Sequence, residues 1–543
     1  MGVAAEAPER PPGRPLTAVA TSVAALLGLA ALGLWAGDAA FSLLPGLDLP
    51  GSGLAKLHPP PASPTRRLSQ RVVFVIIDGL GSTRTGNMPT LEGLGARGVH
   101  MTSRPFYPSY TYPMLTTMLS GVEPRYTGVR TNRHLRAAGL DTIAARVRAA
   151  GLRTAMVGSD SFPARVDPES WDDVRVLPFD LDHYDRWVPP TLKLDAPLTL
   201  VYYSQVDVQG HMHGSASPEY AAAAARVDQS LGYLLTMLDL TRDTIVISAD
   251  HGHRKNGGHG GTEAEVMSVP LIMAGAGIRP APRGAEGLRE ARHSDLAPTM
   301  AALLGVAPPV HARGRVLTKA LDLSSQEAAQ MTVRDAERRK YLWPTIAAFD
   351  ARGQRRRLWT GLLRSTLALV TFAGIFMISR WLNRRSWLVW DWKTVGIAAP
   401  VFTLGFYGLF FAFEGAMSLS VLREFWPVVE RLFRYGFAAA GLHAVVAWLV
   451  LIGRVQPAAR LSATAGLTIA GLALAVTPAI VAYAVVGGTP MVDPASSGWV
   501  FFAMLAYAGL TCYCAAAALV LALELAVLTA RSGWRPRRQE TLS

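Results

Sequence analysis

Cysteine is nearly absent from this chain. Its 543 residues include two, Cys512 and Cys514, both in the last apolar run. Everything before residue 512 therefore lacks disulfides and thiolate chemistry, which excludes a cysteine nucleophile there and leaves the compartment open. A dinucleotide fingerprint is missing too: Gly81 and Gly86 follow a strand candidate, but no third glycine stands at the required spacing. Acidic residues are outnumbered, 40 Asp and Glu against 53 Lys and Arg, for a net charge of +13. That excess does not read as a nucleic-acid footprint. Much of it sits in arginine clusters beside apolar runs, Arg355–Arg357, Arg384–Arg385 and Arg535–Arg538, where arginine meets phospholipid headgroups or fixes topology. The expected partner is a membrane, and no nucleic-acid polymer.

What the chain has in quantity is long apolar sequence. Thr17–Ala36 is nearly all Ala, Leu, Val and Gly, long enough to cross a hydrocarbon core, and Arg10 and Arg14 precede it. A cleaved signal peptide is the rival reading, although the apolar core is longer than a typical leader's. Five further spans are expected at roughly 361–379, 395–414, 434–452, 463–485 and 499–529. With the N-terminus inside, Arg380–Arg385, Arg454–Arg460 and Arg531–Arg538 all fall on the cytoplasmic side, as the positive-inside rule asks. Arg352 and Arg355–Arg357 break the rule by facing outward. The division is then 1–16 cytoplasmic tail, 17–37 transmembrane helix, 38–70 linker, 71–325 extracytoplasmic domain, 326–360 juxtamembrane connector, 361–530 five-helix transmembrane domain and 531–543 cytoplasmic tail. The expected location is the inner (plasma) membrane of a bacterium. Glu414 and Glu524 are the main acids inside spans, and intramembrane acids are functional suspects.

Between residues 71 and 325 short β-branched runs alternate with helical periodicity. Strands are expected at Val72–Ile77, Thr154–Val157, Leu198–Tyr203, Thr244–Ile247 and Val269–Met273, and helices around Thr90–Arg97, Leu140–Ala150 and Ala221–Leu238. Such alternation predicts an α/β domain with a largely parallel sheet, with any antiparallel strands at its edges.

Four segments carry acids, histidines and a hydroxyl. VVFVIIDGLG ends a strand at Asp78. FYPSYTYPMLTTMLSG places Thr111 just before a helix, where unpaired amides favour an anion; a threonine there also caps helices. VDVQGHMHG holds Asp207, His211 and His213. SADHGHRKNGGHGGT holds Asp250, His251, His253 and His259. Carboxylates and imidazoles of this kind bind zinc, and two ions a few ångströms apart can clamp both sides of a phosphoryl transfer.

These segments resemble the alkaline phosphatase superfamily, and within it the nucleotide pyrophosphatase/phosphodiesterases and the ethanolamine-phosphate transferases of glycosylphosphatidylinositol anchors. The likeness rests on IIDGLG at 76–81, YPSYTYP at 107–113, VDVQGHMHG at 206–214, SADHGHRKNGGHGGTEAEV at 248–266 and SDLAPTMAALLG at 294–305, and covers roughly residues 70–320. It implies a three-layer α/β sandwich with a mostly parallel central sheet, here joined to an α-helical transmembrane domain. It further implies two divalent metal ions, zinc foremost. Asp207, His211 and His259 would hold one; Asp78, Asp250, His251 and the hydroxyl of Thr111 would hold the other. Thr111 would be the nucleophile, forming a phosphothreonine-type intermediate, and Asn132, with the amide of Tyr112, would cradle the phosphoryl oxygens. His213 and His253 are candidates for a substrate contact or a donor that orients a ligand. A sulfatase is disfavoured, since that branch needs a cysteine or serine at the place of Thr111.

The leading expectation is a membrane-bound, metal-dependent phosphotransferase acting on a phosphodiester, with a phospholipid or lipid-linked partner and ethanolamine phosphate or another headgroup as the cargo. A phosphodiesterase or nucleotide pyrophosphatase is the nearest rival. A transport or assembly protein with an inactive catalytic domain is the alternative of another class.

Overall fold

The computed structural model describes residues 51–454, apart from 60–63, 133, 135–136, 160–161, 180, 385–391, 416–417 and 422–424, and isolated helical positions beyond. The expected spans at 17–37 and 499–529, nearly all of 463–485, and Glu524 lie outside the described residues.

Eight strands form one sheet: β1 Arg71–Ile77, β2 Val99–Arg104, β3 Thr154–Gly158, β4 Asp173–Val176, β5 Leu198–Tyr203, β6 Asp243–Ser248, β7 Val269–Gly275 and β8 Glu290–Arg292. Their order across the sheet is β4-β3-β5-β1-β6-β7-β2-β8. Pairings are parallel except those of β7 with β6 and with β2. The reversed strand is thus interior, where an edge position was expected. Both its neighbours cover it, so its Val-Pro-Leu-Ile-Met run is as buried as the parallel strands'.

The longer helices are α1 Pro89–Arg97, α2 Thr111–Ser120, α3 Ile143–Ala149, α4 Leu181–Leu192, α5 Gln205–His213, α6 Pro218–Leu235, α7 Leu296–Leu304, α8 Ser325–Arg384, α9 Trp392–Glu414 and α10 Phe425–Arg454. Alternation along β1 divides them into two layers. Val72, Phe74 and Ile76 face a core shared with α2, α3 and α7, while Val73, Val75 and Ile77 face one shared with α1, α4 and α6. A strand buried on both faces reads as a continuous apolar run, as β1 does. The result is the expected three-layer sandwich.

β5, β1 and β6 are neighbours at the centre of the sheet and run in one direction. Their carboxyl ends therefore open onto one crevice, the place where α/β sheets carry their chemistry.

Two regions show detail beyond the sequence reading. Part of the stretch expected as a linker is packed: Leu54 is buried with Val122, Tyr126 and Leu342, and the Ser52 hydroxyl donates to the Tyr126 carbonyl. The expected connector 326–360 and the span 361–379 are one continuous helix of 60 residues, α8. Val395–Glu414 and Glu430–Leu451 are long and apolar enough to cross a membrane.

Candidate active site

Asp78 stands one residue past β1, Asp250 two residues past β6, and Asp207 in the first turn of α5, just after β5. Short loops at adjacent strand ends bring the three carboxylates together. Gly79 makes the approach possible. Its φ of 77° is left-handed, and a Cβ there would lie 2.8 Å from the Asp207 Cα and 2.9 Å from the His253 ring.

Two groups of ligand atoms result. In the first, Asp78, Asp250 and His251 are all buried, with His251 Nε2 at 3.4 Å from Asp78 Oδ1 and 3.3 Å from Asp250 Oδ2. Thr111 Oγ1 is 3.3 Å from the same nitrogen. In the second, Asp207, His211, His253 and His259 meet. His211 follows Asp207 by one helical turn, and its Nε2 lies 3.0 Å from the Nε2 of His259. The rings of His251 and His259 stack at 3.6 Å between centroids and join the two groups.

The electrostatics call for cations. Burial, then repulsion from Asp207 and Asp250, holds the Asp78 carboxyl well above the ordinary carboxylate range; burial likewise raises Asp250. Burial would raise Asp207 as well, but His211 beside it and the hydrogen bond from His253 outweigh that and hold the carboxyl below its ordinary value. Burial, then the neighbouring imidazoles, keeps His259 neutral, and burial lowers His251. Asp78 Oδ1 and Asp250 Oδ2 are buried without a hydrogen-bond partner. Uncompensated carboxylate oxygens facing neutral imidazole nitrogens form a donor set that suits divalent zinc. The residues present fit the metals that the sequence implies.

Thr111 opens α2 and is buried, and the residue before it, Tyr110, makes no side-chain cap. The Tyr112 amide donates to Asn132 Oδ1 at 2.8 Å. That bond occupies the amide and points the Asn132 carbonyl inward, so the asparagine NH2 is the group presented as a donor. The Tyr112 ring is core, against Phe162, with its hydroxyl donating to the Arg165 carbonyl. His213 is exposed at the end of α5, outside both groups. His253 is fully enclosed, its Nε2 at 2.7 Å from Asp207 Oδ1.

Sequence reasoning missed Tyr202 and Ser109 among the residues that orient these side chains, and read His293 as structural or at the pocket rim rather than as a metal ligand. Tyr202, on β5, donates to Asp78 Oδ2. His293 bridges the Ser103 hydroxyl and the Asp250 carbonyl, at 2.8 and 2.9 Å. Ser109 accepts from His259 Nδ1 at its carbonyl, 3.0 Å away, and from the Gly260 amide at its hydroxyl. The His259 bond fixes Nδ1 as the donor and leaves Nε2 for the site. The signals for these partners were the place of Ser109 inside YPSYTYP and of His293 just before SDLAPTMAALLG.

Residues 72–265 match the family model of type I phosphodiesterase / nucleotide pyrophosphatase. The catalytic subunit of GPI ethanolamine phosphate transferase 2 from Homo sapiens is 26% identical over 294 residues, 48% of this chain and 28% of that protein. The chain thus spans less than a third of that relative's length. GPI ethanolamine phosphate transferase 2 of Aspergillus fumigatus is 25% identical over 325 residues, 54% of this chain and 42% of that one. Among solved structures, murine ectonucleotide pyrophosphatase / phosphodiesterase 5 aligns with a TM-score of 0.37 at 14% identity, covering 44% of this chain and 96% of its own. Residues 72–265 are therefore similar to the type I phosphodiesterase / nucleotide pyrophosphatase family, and about half of the chain resembles part of the GPI ethanolamine phosphate transferases.

Proposed function

We propose that this chain is a membrane-bound, metal-dependent phosphotransferase that moves a headgroup phosphate, ethanolamine phosphate foremost, from a phosphodiester to a lipid-linked acceptor. The observation that carries the reading is the place of Thr111. Its hydroxyl lies at a helix N-terminus, 3.3 Å from His251, beside two acid–histidine groups joined by a stacked ring pair. Asp207, His211 and His259 would hold one divalent ion, and Asp78, Asp250, His251 and Thr111 the other. Bound there, zinc would lower the pKa of a hydroxyl and offset charge on the departing oxygen.

The chain's own residues do the rest. The Thr111 hydroxyl loses its proton to solvent as its oxygen attacks phosphorus; the bond from phosphorus to the donor alcohol breaks, the departing oxygen takes up a proton from solvent, and the phosphate stays on Thr111 as a diester that still carries the ethanolamine. An acceptor hydroxyl then attacks from the vacated side and frees Thr111, so two in-line steps give net retention. The Asn132 NH2 and the Thr111 amide at the start of α2 stabilise the phosphoryl oxygens, the Tyr112 amide being bonded to Asn132. The apolar helices keep the domain at the extracytoplasmic face of a bacterial inner membrane, within reach of lipid headgroups. A phosphodiesterase is the second reading: it differs only in taking water as acceptor, and the family model favours it.

Intact mass after brief incubation with a lipid extract and acid quench tests the covalent step. An added mass on the Thr111 peptide, absent in Thr111→Ala, is expected, and its value names the group transferred. Turnover that survives Thr111→Ala would refute the nucleophile. Product retained on lipid marks transfer, and product in the aqueous phase marks hydrolysis.

A further inference from the structure

The loop that carries His259 has little stiffness of its own. Gly257, Gly258 and Gly260 all have left-handed φ values, between 87° and 108°, and fixing a glycine costs more entropy than fixing any other residue. Something else must hold it. On one side it is laced to Ser109. On the other it meets the connection between α9 and α10.

There the Ser420 hydroxyl accepts from the Gly261 amide at 2.8 Å and donates to Glu263 Oε2 at 2.6 Å. Arg254, at the start of the loop, donates to the Glu414 carbonyl at the end of α9. The Glu414 carboxylate is in turn held by Arg431 Nε at 2.8 Å and by the Tyr435 hydroxyl at 3.0 Å, both on α10. Ser420 is fully buried. Gly261 leaves no room to spare: a Cβ there would fall 1.9 Å from Ser418 Oγ and 2.7 Å from Ser420 Oγ. Only Gly260 separates His259 from the residue whose amide Ser420 holds. Glu414, suspected from sequence as an acid within a span, sits at the helix end and fastens this joint.

We propose that the α9–α10 connection is a positioning element of the active site: Ser420 and Glu414 brace the Arg254–Glu263 loop from the membrane side, so that docking of the helical hairpin and occupancy of the Asp207, His211 and His259 group by a metal favour one another. The inference rests on the reading of that group as a metal site. Coupling of this kind is reciprocal, so metal must tighten the hairpin as the hairpin tightens metal.

The test uses the full-length protein in detergent, with zinc as the probe. Zinc affinity is measured by competition with a chromophoric chelator for the wild type, Ser420→Ala, Ser420→Thr and His259→Ala. Ser420→Ala is expected to weaken one zinc by about 10-fold, the lower end for an orienting partner, and Ser420→Thr to restore it. In the wild type, zinc is expected to slow amide exchange at Ser418–Val421 as well as at Gly257–Gly261, a result that needs no variant to fold. Wild-type zinc affinity in Ser420→Ala, or exchange at Ser418–Val421 indifferent to zinc, would overturn the brace. Undiminished zinc binding by His259→Ala would instead overturn the metal reading beneath it.

Discussion

Replacing Gly210 by alanine sets two effects against each other, and the structure decides between them. Gly210 lies within α5, between Asp207 and His211. In an open helix the change would stabilise by about 1 kcal/mol, because glycine is the poorer helix former. Here the new Cβ would stand 2.4 Å from His253 Cδ2 and 2.6 Å from its Cγ. Those atoms are the body of a ring and cannot swing aside like a chain end, and Gly79 closes the other side. Overpacking of this kind costs about 1–3 kcal/mol. Shifting the ring also breaks the bond from His253 to Asp207, and a hydrogen bond to a charged group contributes about 1.5–3 kcal/mol. Set against the propensity gain, the sum is a net loss of roughly 1.5–5 kcal/mol, together with a loosened Asp207. Gly93 supplies the control. It lies in α1, and a Cβ there meets nothing within 4 Å. Gly93→Ala should therefore raise the melting temperature of zinc-loaded protein by a few degrees, while Gly210→Ala lowers it and sheds metal on counting by mass spectrometry. Were Gly210→Ala to gain stability like Gly93→Ala and keep its full metal count, the packing argument around His253 would be wrong.

Two further outcomes follow from the partners of the ligands. Tyr202→Phe keeps the ring in its buried place and removes the donor to Asp78 Oδ2, so zinc at the Asp78, Asp250 and His251 group should weaken about 10-fold with little change in melting; an unchanged zinc titration would mean that Tyr202 does not orient Asp78. His293 is buried and its pKa is lowered from 6.5 to about 4. Between those values the unfolded chain binds the extra proton, so stability is present above pH 6.5 and is lost as pH falls toward 4, by roughly 3 kcal/mol in all. His293→Gln should remove that part of the slope in metal-free protein, and equal acid sensitivity of the two chains would place the cause elsewhere.

Much of the sheet was legible because its central strands are buried on both faces. Runs such as Val72–Ile77 and Leu198–Tyr203 stand out as continuous apolar segments, and the acids that follow them mark where the strands end. β2, β4 and β8 were missed for the same reason inverted. DVRV and EAR are short edge strands with exposed side chains, and VHMTSR, though mostly buried, is more than half polar and so does not stand out as an apolar run. α4 was hidden by Pro189 and Pro190, which a sequence reading takes as helix breakers. The orienting residues were illegible on other grounds. Tyr202 meets Asp78 across 124 positions, and Ser420 meets Gly261 across 159, so no local pattern ties one to the other.

His253 shows what geometry adds even where the residue was noticed. Four protein groups converge in the group around Asp207, and four protein ligands make a tetrahedral zinc site closed, as in structural sites; a catalytic zinc keeps a position open. The Nε2 of His253 cannot serve both ends. At 2.7 Å from Asp207 Oδ1 it has the distance of a hydrogen bond, and a nitrogen that donates its proton there has no lone pair for a metal. Its other ring nitrogen is buried and without a partner. The ring is wedged against Gly79 and Gly210, which leaves it no second orientation. On the proposed reading, with His253 spent on aiming Asp207, the residues left to hold an ion there would be Asp207, His211 and His259, and three protein ligands would leave room for a phosphoryl oxygen as the fourth.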